Sequence, residues 1–167
     1  VEAASARWKE FDVVAQTWTI PASKMKKNRV HIVPLSTQVI GLLKVIRPIS
    51  GHRGDYLFPS VKDPQNHANR ETVNTAMKRN GLKGKIVSHG LRALFSTTCN
   101  EQKFDSDIIE VALAHLDKNE TRAAYNRSEY IDRRRIMMQW WSDHIQKASQ
   151  GDMSMIGSIS HLKVVGE

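Results

Sequence analysis

Ser88-His89-Gly90-Leu91-Arg92-Ala93-Leu94-Phe95, followed by Leu113-Ala114-His115-Leu116 and Ala123-Ala124-Tyr125-Asn126-Arg127, is the most informative stretch of the chain. Ser88 reads as the N-cap of a helix running to about Glu101, with Leu91, Leu94, Phe95 and Thr98 inward. A helix start offers free N–H groups and a positive dipole to an anion. His89 and Arg92, three apart, share one face at that end. An arginine fork can hold two phosphate oxygens, and a neighbouring histidine can donate a hydrogen bond or move a proton. Taken alone, such a pair is more often a surface histidine beside a structural arginine. His115 follows just past the end of a second helix, and Tyr125 comes ten residues later on a short polar helix. A lone tyrosine there is usually a packed amphipathic residue. Arg122, Arg127 and the run Arg133-Arg134-Arg135 change its setting, because nearby cations lower the cost of a phenolate and make it a better nucleophile.

On either side of this stretch the pattern predicts a mainly helical domain with a small antiparallel sheet, about six or seven helices in all. Residues 2–9 read as helix and 12–16 as a turn. Thr17–Ile20 and Arg29–Val33 are strands closed by Pro21 and Pro34, forming a hairpin with a long basic tip. Ser36 caps a helix carrying Val39, Ile40, Leu42, Leu43 and Ile46 that should end before Pro48. After a loop over 49–68, Asn69 or Arg70 opens a helix that Gly81 and Gly84 end. Asp105 or Ser106 caps a short helix through Leu113, Asn119 or Glu120 starts a turn or two around Tyr125, and Tyr130–Lys147 is a separate amphipathic helix. Residues 149–167 form a tail without helical pattern. The division is therefore a domain over 1–148 and a tail over 149–167.

The chain has 167 residues, 40% hydrophobic and 25% charged, which suits one globular domain. Its net charge of +8 favours a polyanionic partner, nucleic acid first and an anionic membrane surface second, with solubility alone as the plain alternative. No apolar run is long enough for a membrane-spanning helix. A single cysteine, Cys99, excludes an intrachain disulfide and fits a reducing compartment, hence a cytoplasmic setting. No His, Cys or Asp grouping has metal-ligand spacing, so neither a metal nor another cofactor is expected. The first residue is Val1, and Glu2–Trp8 read as the last turns of a helix already under way, so a longer parent protein is expected.

The order of these features resembles the catalytic domain of tyrosine recombinases, in particular the integrases of prophages and genomic islands. The resemblance rests on Trp18-Thr19-Ile20-Pro21, Met25-Lys26-Lys27, His31-Ile32-Val33-Pro34-Leu35, His89-Gly90-Leu91-Arg92, Ala123-Ala124-Tyr125-Asn126-Arg127 and Met137-Met138-Gln139-Trp140-Trp141, over residues 2 to about 146. It implies that Tyr125 attacks a DNA phosphodiester, forming a 3′-phosphotyrosyl link and freeing a 5′-hydroxyl. It makes Arg92 the clamp on non-bridging oxygens, His89 a general acid/base or phosphate donor and His115 a further phosphate contact. It makes Lys26 the acid that protonates the leaving oxygen, with Lys24 and Lys27 as rivals, and Glu2 the support of the arginines. Lys24, Lys27, Arg29, Arg122 and Arg127 are the expected DNA contacts. The resemblance further implies double-stranded attachment sites, a homo-tetramer on DNA, DNA-bending or excision proteins as accessories, and a nucleoid-associated place in the cell. In the family a first arginine precedes the acidic residue, and here that position falls before Val1, with Arg7 the nearest substitute, so strand cleavage by these 167 residues alone is expected to be impaired. The alternatives are a non-enzymatic basic DNA-binding module, such as an excision regulator, or an RNA-binding domain. The first has no need of a tyrosine and two histidines at set places. The second would need aromatic stacking positions on strands, which are few here.

Overall fold

The computed structural model describes residues 2–115 and 120–151, and of residues 120–129 the backbone alone. It is mainly helical with one small antiparallel sheet. Strands β1 (Phe11–Asp12), β2 (Thr17–Ile20) and β3 (His31–Pro34) lie in the order β1-β2-β3. The helices are α1 (Thr37–Ser50), α2 (Thr72–Met77), α3 (Ser88–Glu101), α4 (Ser106–Ala112) and α5 (Glu120–Ser149). These five α-helices among the described residues are fewer than the six or seven expected.

The β2–β3 hairpin forms in the expected place, with Thr17 opposite Pro34 and Ile20 opposite His31. The turn over 12–16 also forms: Asp12 Oδ1 accepts from the Ala15 N–H at 2.8 Å and Gln16 takes the left-handed conformation. That turn joins β2 to a strand that the sequence reading leaves out, β1, where Phe11 stacks on Trp18 at 5.4 Å. Residues 2–9, expected as helix, are a turn followed by a 3₁₀ turn at Trp8–Glu10. The backbone there is engaged elsewhere: Leu57 N–H donates to the Ala6 carbonyl at 2.8 Å and Trp8 N–H to the Asp55 carbonyl at 2.9 Å. One set of backbone groups cannot serve both that pairing and a helix.

Ser36 caps α1 as expected, its hydroxyl accepting from the Val39 N–H at 3.3 Å. The helix does not stop before Pro48 but continues to Ser50. Proline forfeits one hydrogen bond, while buried Ser50 secures the last turn by donating to the Leu57 carbonyl at 2.8 Å. Asp105 caps α4. The two C-terminal helices expected near Tyr125 and over 130–147 are one element. No glycine or proline interrupts residues 120–149, so nothing breaks the backbone between them.

Two apolar clusters result. One joins α3, α4 and α5 through Phe95, Cys99, Ile108, Ile109, Leu113 and Met137, with Trp140 and Trp141 packed against it. The other joins the N-terminal segment, β3, α1 and the 55–57 loop through Ala6, Leu35, Ile40, Leu43 and Leu57. Helix α5 bridges them. Arg134 Nη1 donates to the Ile32 carbonyl on β3 at 2.8 Å, Ser142 Oγ meets Ser36 Oγ at 2.7 Å, and Gln38 Nε2 donates to Asp143 at 2.6 Å.

Candidate active site

Helix α3 begins at Ser88, with extended Val87 in the N-cap position, so Ser88 is the first helical residue and not the cap. Its N–H is satisfied by Asn74 Oδ1 of α2 at 2.8 Å, which ties the start of α3 to the helix before it. Phe95, Thr98 and Cys99 face inward, whereas Leu91, expected inside, is 40% exposed. That rotation leaves His89 exposed at the helix start and directs Arg92, one turn on, toward α4, where its Nη2 donates to the Leu113 carbonyl.

Leu113 lies just past the end of α4. Ala114 turns left-handed (φ 55°) and the His115 N–H closes back on the Glu110 carbonyl at 2.9 Å. The exposed His115 ring then sits with Nδ1 2.7 Å from Glu110 Oε2. An ionised carboxylate only accepts, so Nδ1 carries the hydrogen and Nε2 is left for another partner. Glu2 lies within the field of Arg92. Its carboxyl is held below the usual range, chiefly by its own backbone amide and in smaller part by the Arg92 guanidinium. The structure thus sets His115 two residues beyond the carbonyl that Arg92 holds, with Glu2 within electrostatic reach of Arg92. His89 stands one helical turn away.

The basic hairpin tip divides. Lys24, at the end of a 3₁₀ turn over Ala22–Lys24, has its Nζ 2.5 Å from Glu10 Oε1 and also donates to the Ser5 carbonyl. Its charge is engaged inside the molecule. Lys26 and Lys27 are exposed and make no hydrogen bond or ion pair among the described residues, and Arg29 is half-buried. Tyr125, Arg122 and Arg127 fall on the part of α5 whose side chains lie outside the described residues, and most of the 149–167 tail, residues 152–167, lies outside them as well.

The Arg133-Arg134-Arg135 run, read from sequence as a basic setting for the tyrosine, is spent on the fold. Arg133 pairs with Asp105 at 3.0 Å, buried Arg134 holds β3, and Arg135 reaches the Gln16 and Ala15 carbonyls at 3.3 and 3.2 Å. Arg7 is likewise committed, donating to Tyr56 Oη at 3.2 Å with its guanidinium over that ring. Two features escape the sequence reading. His31, at the start of β3, has its pKa held below the ordinary value by burial first and by the field of Arg134, with Arg92 and Glu2 within electrostatic reach. Exposed Lys78, Arg79, Lys83 and Lys85 form a basic turn leading into α3, with Gly81 and Gly84 left-handed inside it. That charge run is visible in the sequence beside His89.

A small antiparallel sheet stands beside helices that carry a His-x-x-Arg pair at the start of α3 and a second histidine just past α4, with Arg92 bonded to the carbonyl two residues before that histidine. The chain belongs to the phage integrase family, whose model matches residues 1–131. It is 50% identical over 165 residues to the prophage integrase IntA of Escherichia coli K12, covering 99% of this chain and 40% of that protein. It is 38% identical over 146 residues to the integrase of Shigella phage Sf6, covering 87% of this chain and 38% of that protein. The chain therefore spans about two fifths of the length of these relatives. The fold is also that of the integrase from mycobacterium phage Brujita, with a TM-score of 0.61 and 24% identity over 83% of this chain and 45% of that one. No described helix is long and apolar enough to cross a membrane, and among the described residues no three His, Cys, Asp or Glu side chains gather as a metal site.

Proposed function

We propose that this chain is the catalytic part of a site-specific DNA recombinase that integrates or excises a prophage or genomic island. Tyr125 Oη gives up its proton to His89, the general acid/base, and attacks a backbone phosphorus; the P–O5′ bond breaks, and the 5′-oxygen leaves with a proton from Lys26. A 3′-phosphotyrosyl link remains, and the reverse attack by a 5′-hydroxyl rejoins a strand. Arg92 binds the non-bridging oxygens as negative charge builds on them, His89 and His115 Nε2 donate to the same phosphate, and Glu2 holds Arg92 in place. Phosphoryl transfer asks mainly for positioning and charge cancellation, which a cluster of fixed cations and N–H donors supplies. Lys27, Arg29, Arg122 and Arg127 track the duplex. Lys24 sits among them on the hairpin, with its own charge held by Glu10.

The partner is double-stranded DNA at attachment sites, on which four copies assemble with DNA-bending or excision proteins, in the cytoplasm at the nucleoid. Residues 1–148 are the catalytic domain and 149–167 its tail. The observation that carries the reading is the Arg92 hydrogen bond to the carbonyl two residues before His115, in a chain of the phage integrase family. The test is capture, under denaturing conditions, of DNA linked covalently to the protein from a randomised duplex library. Tyr125→Phe should abolish capture. Capture that survives this substitution refutes the nucleophile, and DNA binding without capture by a longer chain that carries the first arginine favours the non-enzymatic module.

A further inference from the structure

Helix α4 ends in a Schellman turn. The His115 N–H closes on the Glu110 carbonyl at 2.9 Å and the Ala114 N–H on the Val111 carbonyl at 3.0 Å. Ala114 takes the left-handed conformation (φ 55°) that such a turn usually gives to glycine. This closure brings the side chain that follows the turn over the last turn of the helix, where two apolar side chains commonly meet. Here the two are Glu110 and His115, and His115 Nδ1 lies 2.7 Å from Glu110 Oε2. Both side chains are exposed, and a solvated pair of this kind adds little to stability. Nor does the turn need the carboxylate, because the Glu110 backbone closes it. The Leu113 carbonyl between them is held independently by Arg92. What the carboxylate does govern is the ring. It accepts from Nδ1, sets the orientation of the imidazole, and leaves Nε2 on the far side of the ring from Glu110.

We propose that Glu110 is a positioning residue of the active site, the carboxylate that fixes the tautomer and orientation of His115 for its contact with phosphate. The catalytic consequence rests on the recombinase reading, but the carboxylate–imidazole pair does not. The chemistry of the ring narrows the contact further. With Nδ1–H given to Glu110, a neutral ring has only a lone pair on Nε2 and cannot donate to a phosphate oxygen. His115 therefore donates to phosphate as a ring protonated on both nitrogens, with Glu110 as the counter-charge beside it. A bare carboxylate at this place would repel the anion. Bonded to Nδ1, it meets the phosphate only across the ring.

Two variants separate the acceptor from the stem: Glu110→Gln keeps an acceptor without the charge, and Glu110→Met keeps only bulk. The first readout needs no DNA. Nitrogen NMR of the His115 ring, at a pH where the ring is neutral, reports which nitrogen carries the hydrogen. The parent chain should show the Nδ1–H form, E110Q should keep it and E110M should lose it. The second readout is the rate of covalent DNA adduct formation by the longer chain that carries the first arginine. E110M should slow it by about tenfold and E110Q by about threefold, since a small misplacement of a phosphate contact is enough for such a loss. In a His115→Ala background, E110M should change the rate by less than about twofold, because a residue that acts through another loses its effect once that other is gone. The proposal is overturned by an Nε2–H ring in the parent chain, by an unchanged tautomer or rate in E110M, or by a loss of the same size in the H115A background. If the longer chain forms no adduct, the recombinase reading falls while the tautomer still decides the pair.

Discussion

Replacing Lys24 with methionine separates the lysines of the hairpin into two kinds. Lys24 Nζ lies 2.5 Å from Glu10 Oε1, and the Glu10 side chain is only 6% exposed against 19% for Lys24. Glu10 Oε2 also accepts from Trp18 Nε1 at 3.1 Å and from the Arg7 N–H at 3.2 Å. Methionine preserves most of the lysine stem, so the loss is the counter-charge and two hydrogen bonds, one to Glu10 and one to the Ser5 carbonyl. Orphaning a fully buried charge costs about 3–5 kcal/mol. Two surviving donors and the residual solvent access of the pair reduce this to about 2–3 kcal/mol. For a chain this long, that is a fall in Tm of roughly 5–10 °C. Lys26→Met and Lys27→Met, at exposed sites without partners, should stay within about 0.5 kcal/mol. Thermal and urea unfolding followed by circular dichroism measure all three. Burial pushes the Glu10 carboxyl up, but the Lys24, Trp18 and Arg7 bonds together outweigh it and hold the group below its usual range. The stability from this pair is thus present above the ordinary carboxylate pKa and is lost as pH falls through the lower folded value. In Lys24→Met, burial prevails, Glu10 takes up a proton more readily, and the gap to the parent chain should narrow in acid. Equal Tm values for the Lys24 and Lys26 variants, or a gap that widens in acid, would refute the reasoning.

Three further outcomes follow from the same geometry. Lys26→Met should slow adduct formation on ordinary DNA by about 10²–10³-fold, yet by less than about tenfold when sulfur replaces the bridging 5′-oxygen, because a thiolate leaves without an acid; equal slowing on both substrates removes Lys26 from the acid role. Neutralising Lys83 and Lys85 together should lower the slope of log affinity against log salt by about 2, at roughly 0.9 per phosphate contact, with Tm nearly unchanged; an unaltered slope takes the turn before α3 off the DNA. His31 has a folded pKa below its ordinary 6.5, so the unfolded chain binds the extra proton first; stability should decline as pH falls from above 6.5 to the folded value and then level off, and His31→Gln should flatten that part of a urea-denaturation series.

Where local chemistry decides the backbone, the sequence is legible. Ser36 with the apolar spacing after it, Asp105 ahead of α4, and two alternating runs closed by Pro21 and Pro34 each imply the element that forms. The N-terminal segment fails because its partner is remote: nothing near Ala6 reveals that its carbonyl receives the Leu57 N–H. Helix α5 was split because the polar stretch around Tyr125 weakens the apolar period, although no breaker lies within it. At the site, the spacing of His89, Arg92 and His115 is a chain property and can be read directly. Whether a cation is available is not. Lys24, Arg7 and Arg133–Arg135 look as free in sequence as Lys26 and Lys27, and only the carboxylates and carbonyls brought to them by the fold spend their charge. His31 escapes notice for the same reason, since an alternating strand pattern says which residues share a face but not what that face meets.

That division of cations bears on how the site is assembled. Arg133, Arg134 and Arg135 occupy successive positions and therefore point in different directions around α5. They reach the α4 cap, β3 and the β1–β2 turn respectively. The helix is thereby fastened to both apolar clusters within one turn, five to seven residues before the centre of the packing made by Trp140 and Trp141. The backbone that carries Tyr125 is the continuation of this same helix toward its N-terminus. The position of that backbone is consequently referenced to a point fixed against sheet and helices alike. Arg92 holds a carbonyl at the α4 end. The basic hairpin, Arg92 and the segment of Tyr125 come from three different elements, and buried Arg134 ties sheet to helix among them. Loosening Arg134 should for that reason disturb hairpin and helices together, whereas loosening Arg133 should disturb only the α4 cap.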